Sequence, residues 1–577
     1  MHLLFYHVGR KNNMIETKYQ HWLNFEGLDA DLKKELEGMN EFEKNDAFYT
    51  NVEFGTAGMR GVLGAGTNRL NIYTIRKANY GFAKYICDHG KEAMERGVAI
   101  AYDNRFMSKE FAMESARLLA MFNIKTYVFT SLRPTPELSY AVRHLKCFGG
   151  IVITASHNPK EYNGYKLYDE NGCQLVPHLV KGVIDHVNEV EDELRIEVTL
   201  TAEQETLINM IDKEVDVPYL DECMQIQLHP ELSKENFKMV FTPQHGTANE
   251  SIHELFGRVG YDVVYVEEQC NPDPAFSGTL SPNPEEPKAY KLAIEYAEKC
   301  DADIVLTTDP DADRLGVAVK QNGVYELMTG NQSAAVLLEY IFSQRQAAGT
   351  LPANPVMFNT VVTSDLGEAI AAYYNIETEK TLTGFKFIGD KVAKYEKTNE
   401  KEFVFGYEES YGCLVKPFVR DKDAMQACMM LAECANFYKK QGKTMIDVLH
   451  DLYVRHGWYL ETQQSITFKG SEGAANMKAM LQRLRDNIPA QIAAYKVVKY
   501  EDYGKQIVVA NGETTELVGF PTSEVLKYYL EDGSWIAIRP SGTEPKCKFY
   551  YCIKGTDAAH VDEKRAELYA AIDELIK

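Results

Sequence analysis

The sequence predicts a multidomain α/β protein in which an α/β unit recurs three times and a smaller α+β domain closes the chain. Three observations carry this reading. From residue 98 onward, apolar strand-like runs alternate with amphipathic helix-like ones, the texture of βαβ units. The alternation restarts twice, at Lys238 and at Pro355. After about residue 460 it gives way to strand, helix, several strands and a closing helix. At 577 residues the chain is also too long for one core, because a domain takes roughly 100–200 residues.

Taken in order, residues 14–50 are polar with helical apolar spacing, and residues 1–13 read as an extension with no role in the fold. The first unit has strands at Val98 to Tyr102, Lys125 to Thr130 and Ile151 to Thr154, with a helix from Lys109 to Phe122. In the second, Lys238 to Phe241, Asp262 to Val266 and Asp303 to Thr307 are strands and Asn249 to Val259 is a helix. The third has strands at Pro355 to Phe358 and Glu402 to Phe405 and a helix over 364–374. The closing helix spans Val561 to Ile576, and linkers are expected near 200–232, 320–330 and 456–466.

Composition narrows the function classes. Hydrophobic residues at 45% and charged residues at 25% exclude collagenous and largely disordered chains. No apolar run reaches the ~18 residues of a membrane span, and the N-terminal apolar cluster is too short for a signal core, so a cytoplasmic protein is expected. The eleven cysteines are scattered and contain no CxxC pair, which argues for reduced packing residues. A net charge of -22 argues against nucleic acid or an anionic membrane as partner, so any anionic ligand requires a local basic pocket.

Several constellations can carry chemistry, most of them just beyond a strand, where open α/β sheets bind ligands. Thr154-Ala155-Ser156-His157-Asn158-Pro159 offers a hydroxyl nucleophile with His157 beside it and Lys166 nearby as an acid/base group; taken alone it is more often a cap or turn. Asp309-Pro310-Asp311-Ala312-Asp313-Arg314 places three carboxylates at alternating positions, an oxygen-only set suited to Mg²⁺ or Ca²⁺, with a solvated acidic turn as the alternative. An EF-hand is excluded by Arg314 and Lys320 at its glycine and glutamate positions. Arg539-Pro540-Ser541-Gly542-Thr543-Glu544-Pro545-Lys546 reads as a phosphate cradle or as a plain Gly/Pro turn. Gly406 to Gly412 (GYEESYG) is an acceptor-rich loop suited to sugar hydroxyls, or equally a surface turn, and Gly55 to Gly61 can hold an anion with Arg60. No P-loop or GxGxxG is present: Phe437 stands where the first glycine before Gly442-Lys443-Thr444 would be.

The combination describes phosphoryl transfer on a phosphosugar. TASHNP, DPDADR, GYEESYG and RPSGTEPK, in this order and at these intervals, resemble the α-D-phosphohexomutase superfamily from about Asn51 to the C-terminus. The resemblance implies four domains, three of them similar mixed-sheet α/β domains, around a central active-site cleft. They are expected over 1–205, 206–322, 323–458 and 459–577. It implies that Ser156 carries phosphate and that Asp309, Asp311 and Asp313 hold one Mg²⁺ with an oxygen of that phosphate. It further implies that Lys166 is the acid/base and that Arg60 and Arg314 flank the transferring group. Thr383, Gly384, Lys386, Glu408 and Ser410 would meet the sugar, and Arg539, Ser541, Gly542 and Thr543, assisted by Arg420, the other phosphate.

FGTAGMRG, PNPEEP and TGFKFIGDK resemble the phosphoglucomutase branch that includes phosphopentomutases, and EESYG is close to the glucose-selective EESFG pattern. Lys546 and Lys548 depart from many relatives, which carry apolar or arginine residues there. The implied reaction interconverts glucose 1-phosphate and glucose 6-phosphate, with glucose 1,6-bisphosphate as intermediate and activator; a phosphopentomutase or phosphomannomutase is the alternative. A phosphosugar is the expected partner, and the chain a monomer or weak homo-oligomer. A metal-dependent phosphatase fits less well, because such sites use two metals with histidine ligands. A sugar-phosphate sensor could dispense with Ser156.

Overall fold

The computed structural model describes residues 14–55, 58–468, 473–540 and 546–576. The expected N-terminal extension, residues 1–13, lies outside them, as do residues 56–57 and 541–545, with Ser541, Gly542 and Thr543. The described residues fall into two units, one within Met1–Leu327, Ile388–Asn399 and Tyr411–Asn436, the other within Met328–Phe387, Glu400–Ser410 and Phe437–Lys577.

In the first unit, helices over 14–23, Ala30–Gly38 and Glu41–Phe48 pack Tyr19, Trp22 and Phe48 against Tyr73. A six-stranded sheet follows, in the order Met59–Val62, Tyr162–Tyr168, Gly149–Ile153, Val98–Tyr102, Thr126–Phe129, Ile208–Ile211. Val98–Tyr102 is buried along its whole length, as a central strand covered on both faces must be. The sheet is mixed: its last four strands are parallel, and Tyr162–Tyr168 is antiparallel to both neighbours. Connection length explains this, since residues 154–161 fall short of the dozen or so that a parallel crossover needs.

A second sheet repeats the arrangement. Ile304–Thr308, Lys238–Thr242 and Asp262–Tyr265 are parallel, and Leu315–Gln321 returns antiparallel beside Ile304–Thr308 after the short 309–314 connection. The serine and aspartate loops are therefore the same structural object: the tip of a hairpin that ends a buried parallel strand.

In the second unit, Glu377–Thr381, Pro355–Thr360 and Glu402–Tyr407 lie side by side and parallel. The C-terminal sheet is antiparallel, in the order Trp458–Thr467, Lys546–Gly555, Trp535–Pro540, Leu526–Leu530, Tyr495–Asp502, Ile507–Ala510, Glu513–Glu516. Its core joins Met480, Leu481 and Leu484 of helix Gly473–Asp486 to Val561, Leu568 and Ile572 of helix Ala558–Leu575.

Three stretches expected as linkers carry structure. Ile208–Ile211 completes the first sheet, Val324–Met328 edges the second, and Trp458–Thr467 pairs with Lys546–Gly555 along its length. All eleven cysteines are free thiols, most of them buried. Among the described residues, no helix is long and apolar enough to cross a membrane.

Candidate functional site

Both hairpin tips meet in the first unit. Ser156 follows Thr154, whose hydroxyl accepts the Ser156 amide at 2.8 Å, and the backbone at Ser156 is left-handed, with φ +52°. Its Oγ donates to Asp309 Oδ2 at 2.8 Å and lies 3.1 Å from His157 Nδ1. A hydroxyl has one proton, so with that proton on Asp309 the contact to Nδ1 requires the imidazole to donate. Burial, with the nearby Arg314 and Arg60, holds His157 well below the usual histidine range.

The three aspartates are buried and offer ligand oxygens within 4.8 Å of one another. Asp309 Oδ1 accepts the amide of Arg314 at 3.0 Å, and Ala312, with φ +55°, turns the loop so that all three carboxylates converge. Asp311 Oδ2 accepts Lys166 Nζ at 2.9 Å and Thr135 Oγ1 at 3.0 Å, and Asp313 Oδ2 faces Lys422 Nζ at 3.0 Å. Burial and the charges of Asp311 and Asp313 push Asp309 well above the usual carboxylate range. Against the upward push of burial, Lys166 holds Asp311 well below that range. Asp313, raised by burial and by Asp311, is brought below it by Lys422 and Lys166.

The donor set fits a hard divalent cation. All its ligands are carboxylate oxygens, and Oδ1 of both Asp311 and Asp313 is buried without accepting a hydrogen bond. Two small residues let the loops approach. A Cβ on Gly164 would stand 2.3 Å from the carbonyl oxygen of Thr154, and one on Gly246 would stand 2.4 Å from Pro310.

The cations around this center are arranged in order of contact. Arg314 Nη1 donates to Glu285 Oε1 at 2.6 Å, within the PNPEEP stretch, and Arg60 reaches Asn158 Oδ1 at 3.1 Å. Ser156, His157, Lys166, Arg60, Arg314 and the three aspartates are thus brought into one neighbourhood. Sequence reasoning missed three further members: Thr135, Lys422 and Arg105. Arg105 Nη2 donates to the carbonyls of Ser156 and Asn158, both at 2.6 Å, and Nη1 to those of Pro159 and Tyr162 at 2.9 and 3.0 Å. A polar Asp103-Asn104-Arg105 directly after a wholly buried strand was the available signal. Arg420 is fully buried, with Nη2 on Glu396 at 2.5 Å and Nη1 on the carbonyl of Val419, and the Ser541, Gly542 and Thr543 that it is expected to assist lie outside the described residues.

In the second unit, Gly384 donates its amide to Glu408 Oε1 at 2.7 Å, which joins two of the expected sugar loops. Thr383 Oγ1 is buried beside them without a hydrogen-bond partner. Lys386 is buried with its ammonium 5.3 Å from the Phe387 ring, and Ser410 is half-buried. Arg539 stands half-buried at the end of the Trp535–Pro540 strand, opposite Lys548 in register.

Phosphoglucomutase/phosphomannomutase sequence profiles match this chain in four consecutive blocks. Alpha/beta/alpha domains I, II and III cover residues 51–194, 217–323 and 329–456, and the C-terminal domain covers 477–571. The chain belongs to the phosphoglucomutase/phosphomannomutase family. Among its relatives in this family, the phosphoglucomutase of Staphylococcus epidermidis strain RP62A is 37% identical over 546 residues, covering 94% of this chain and 96% of that one. The phosphoglucomutase of Staphylococcus aureus strain MRSA252 is 37% identical over 539 residues, covering 93% and 96%. The fold is shared with the open form of the Paramecium exocytosis-sensitive phosphoprotein pp63/parafusin, a phosphoglucomutase, at a TM-score of 0.65 and 19% identity, covering 91% of this chain and 95% of that one.

Proposed function

We infer that this family member is a phosphoglucomutase, an intramolecular phosphotransferase that interconverts α-D-glucose 1-phosphate and glucose 6-phosphate. The contact that carries the mechanism is Ser156 Oγ, 2.8 Å from the carboxylate triad and in the same neighbourhood as Lys166. The near full-length identity to phosphoglucomutases supports the choice of sugar.

In this reading the phosphoryl group passes from Ser156 Oγ to O6 of glucose 1-phosphate, while Lys166 gives a proton to the departing Oγ and takes the one that O6 releases, so that it ends the step as the cation it was. The resulting glucose 1,6-bisphosphate turns over, its O1 phosphoryl group returns to Ser156 Oγ, and the proton that Oγ gives up passes through Lys166 to O1. Such transfer depends on positioning and charge neutralisation, which Lys166, Arg60, Arg314 and Lys422 supply here. Asp309, Asp311 and Asp313 would hold one Mg²⁺, which when bound neutralises charge on the transferring group. Glu408, Ser410, Thr383, Gly384 and Lys386 are the proposed contacts to the sugar, and Arg539 with Ser541, Gly542 and Thr543 the proposed grip on the second phosphate. Glucose 1,6-bisphosphate is the proposed activator.

Two measurements test the reading. The values of kcat/KM for glucose 1-phosphate, mannose 1-phosphate and ribose 1-phosphate with Mg²⁺ should favour glucose; equal efficiency on ribose 1-phosphate would make the chain a phosphopentomutase. Peptide mass spectrometry should find phosphate on Ser156, and Ser156→Ala should eliminate turnover. A Ser156→Ala protein that still turned over in the presence of bisphosphate would overturn the covalent mechanism.

A further inference from the structure

We propose that the loop from Asn271 to Gly278 is a brace that fixes the serine loop relative to the aspartate loop, with His245, Phe276 and Arg105 as its positioning residues. The inference rests on the phosphoryl-transfer reading of Ser156 and concerns residues that make no contact with the reacting hydroxyl.

The brace begins at the turn that ends the Lys238–Thr242 strand. Gln244 and His245 both have left-handed backbones, at φ +51° and +64°, an uncommon conformation for non-glycine residues. The turn touches the aspartate loop directly: Thr247 donates its amide to the Pro310 carbonyl at 2.8 Å, and Gly246 lies too close to Pro310 to accommodate a Cβ. From the same turn the His245 ring reaches away. Its Nδ1 faces the carbonyl of Asn271 at 2.8 Å, and its Nε2 accepts the amide of Gly278 at 3.0 Å. Those partners fix the neutral tautomer, with Nδ1 as donor and Nε2 as acceptor. One imidazole thereby closes both ends of the loop. Gln269 reinforces the closure, donating to the Gly278 carbonyl at 2.7 Å while accepting the Thr242 hydroxyl at 2.6 Å.

The middle of the loop points at the serine loop's support. Asp273 holds the turn by accepting the amides of Ala275 and Ser277, each at 2.8 Å, and Phe276 takes a left-handed backbone at φ +54°. A bulky aromatic residue in that conformation is an outlier, and here the Phe276 ring lies 5.1 Å from the Arg105 guanidinium. Beside it, Asn104 Nδ2 donates to the Asp273 carbonyl at 2.9 Å. Arg105, held from its other side by Asp103 at 3.2 Å, gathers the carbonyls of Ser156, Asn158, Pro159 and Tyr162. A continuous path of contacts therefore runs from Pro310 through His245 and Phe276 to the backbone of Ser156. In-line transfer requires the serine oxygen and the carboxylate triad in fixed register, and misplacement by about 1 Å can cost on the order of a hundredfold in rate.

The test compares His245→Ala and Phe276→Leu with wild type in the full chain, by steady-state kinetics and by hydrogen exchange without substrate. Both variants should lower kcat for glucose 1-phosphate by roughly ten- to a hundredfold with KM within about twofold. Amides of residues 155–162 should exchange roughly tenfold faster, while those of the C-terminal sheet stay protected. Should His245→Ala fail to fold, the conservative Phe276→Leu decides by the same two readouts. A lowered melting temperature with wild-type kcat and wild-type exchange at 155–162 would overturn the brace. A wild-type protein that turned over no phosphosugar would instead refute the proposed activity, and the exchange data would still decide the brace.

Discussion

Replacing Asp311 with asparagine should abolish stabilisation of the protein by Mg²⁺ while leaving its metal-free stability nearly unchanged. The ligand oxygens of the three aspartates lie within 4.8 Å of one another, so each charged pair repels by at least about 3.5 kcal/mol at an effective dielectric constant of about 20. Asp311 belongs to two such pairs, and neutralising it relieves about 7 kcal/mol on that scale. Against this stands Lys166, whose ammonium 2.9 Å from Oδ2 is attracted by about 6 kcal/mol. An asparagine keeps the shape and an acceptor for Thr135, so gain and loss leave a net change of no more than ~2 kcal/mol. The metal term has no such offset. A cation at a hundred times its Kd stabilises the folded state by about 2.7 kcal/mol, and each kcal/mol is worth roughly 2–4 °C in a domain of about 150–250 residues. Thermal unfolding with saturating Mg²⁺ and with excess EDTA reads both quantities. Wild type should melt several degrees higher with the metal, and the Asp311→Asn curves should superimpose. A variant that kept the wild-type metal shift would refute the ligand assignment, and a metal-free Tm lower by ~10 °C or more would refute the charge balance.

Two further outcomes are expected. Glu408→Ala removes a buried carboxylate from the loop that also holds the Gly384 amide, and a charged hydrogen bond of about 1.5–3 kcal/mol predicts a roughly 10- to 100-fold loss of kcat/KM for glucose 1-phosphate. The Mg²⁺ shift in Tm should not change, and unaltered kinetics would remove Glu408 from the sugar site. Lys527 is wholly buried, donates to the Val361 carbonyl at 2.7 Å and lies 3.8 Å from the Trp535 ring; burial and the neighbouring Lys380 lower its amine to about 7. The unfolded chain keeps that proton up to the ordinary lysine range near ~10.4, so between about pH 7 and 10 the unfolded state binds more protons and stability rises with pH. The stability of wild type relative to Lys527→Met, from denaturant titrations, should therefore be flat below about pH 7 and grow in favour of wild type above it; a difference independent of pH would contradict this.

What the sequence disclosed depended on how local each signal was. Val98–Tyr102 and Ile304–Thr308 are buried apolar runs, so the strands and the chemical loops after them could be read directly. Tyr162–Tyr168 was not anticipated, because its buried residues are tyrosines, Asn163, Gly164 and Lys166, with Leu167 as the one aliphatic side chain. Trp458–Thr467 read as a linker for a related reason: it is an edge strand whose second half alternates exposed polar residues, and its partner lies far along the chain. Ser156 and the aspartates carry contiguous signatures, whereas Thr135 and Lys422 contribute through tertiary contacts that no local pattern announces. Arg420 and Lys422, two residues apart, show the limit most clearly. Both are cations in one loop, yet one is turned into the interior toward Glu396 and the other meets Asp313.

A strongly acidic protein that handles a doubly charged phosphate must balance charge locally, and the geometry of the first unit does so. Asp309, Asp311 and Asp313 bring three negative charges into a buried space; Lys166 pairs with Asp311, Lys422 with Asp313, and Arg314 lies 3.6 Å from Asp313 while also holding Glu285. The protein groups alone are close to neutral, and Asp309, which accepts hydrogen bonds from a backbone amide and the serine hydroxyl, has Arg314 as its nearby cation and pairs with no lysine among the described residues. Phosphorylation of Ser156 adds about -1.5 to -2 charges at that same oxygen, next to the carboxylate least able to tolerate them. A divalent cation in the aspartate cluster supplies the opposite charge in the same place. In the proposed reaction a phosphate on Ser156 and a metal in the aspartate cluster would therefore depend on one another electrostatically. The net charge of -22 is no obstacle to an anionic substrate, because the acidic excess belongs to the chain as a whole, while the charges of this center nearly balance and stay so when phosphate and cation enter together.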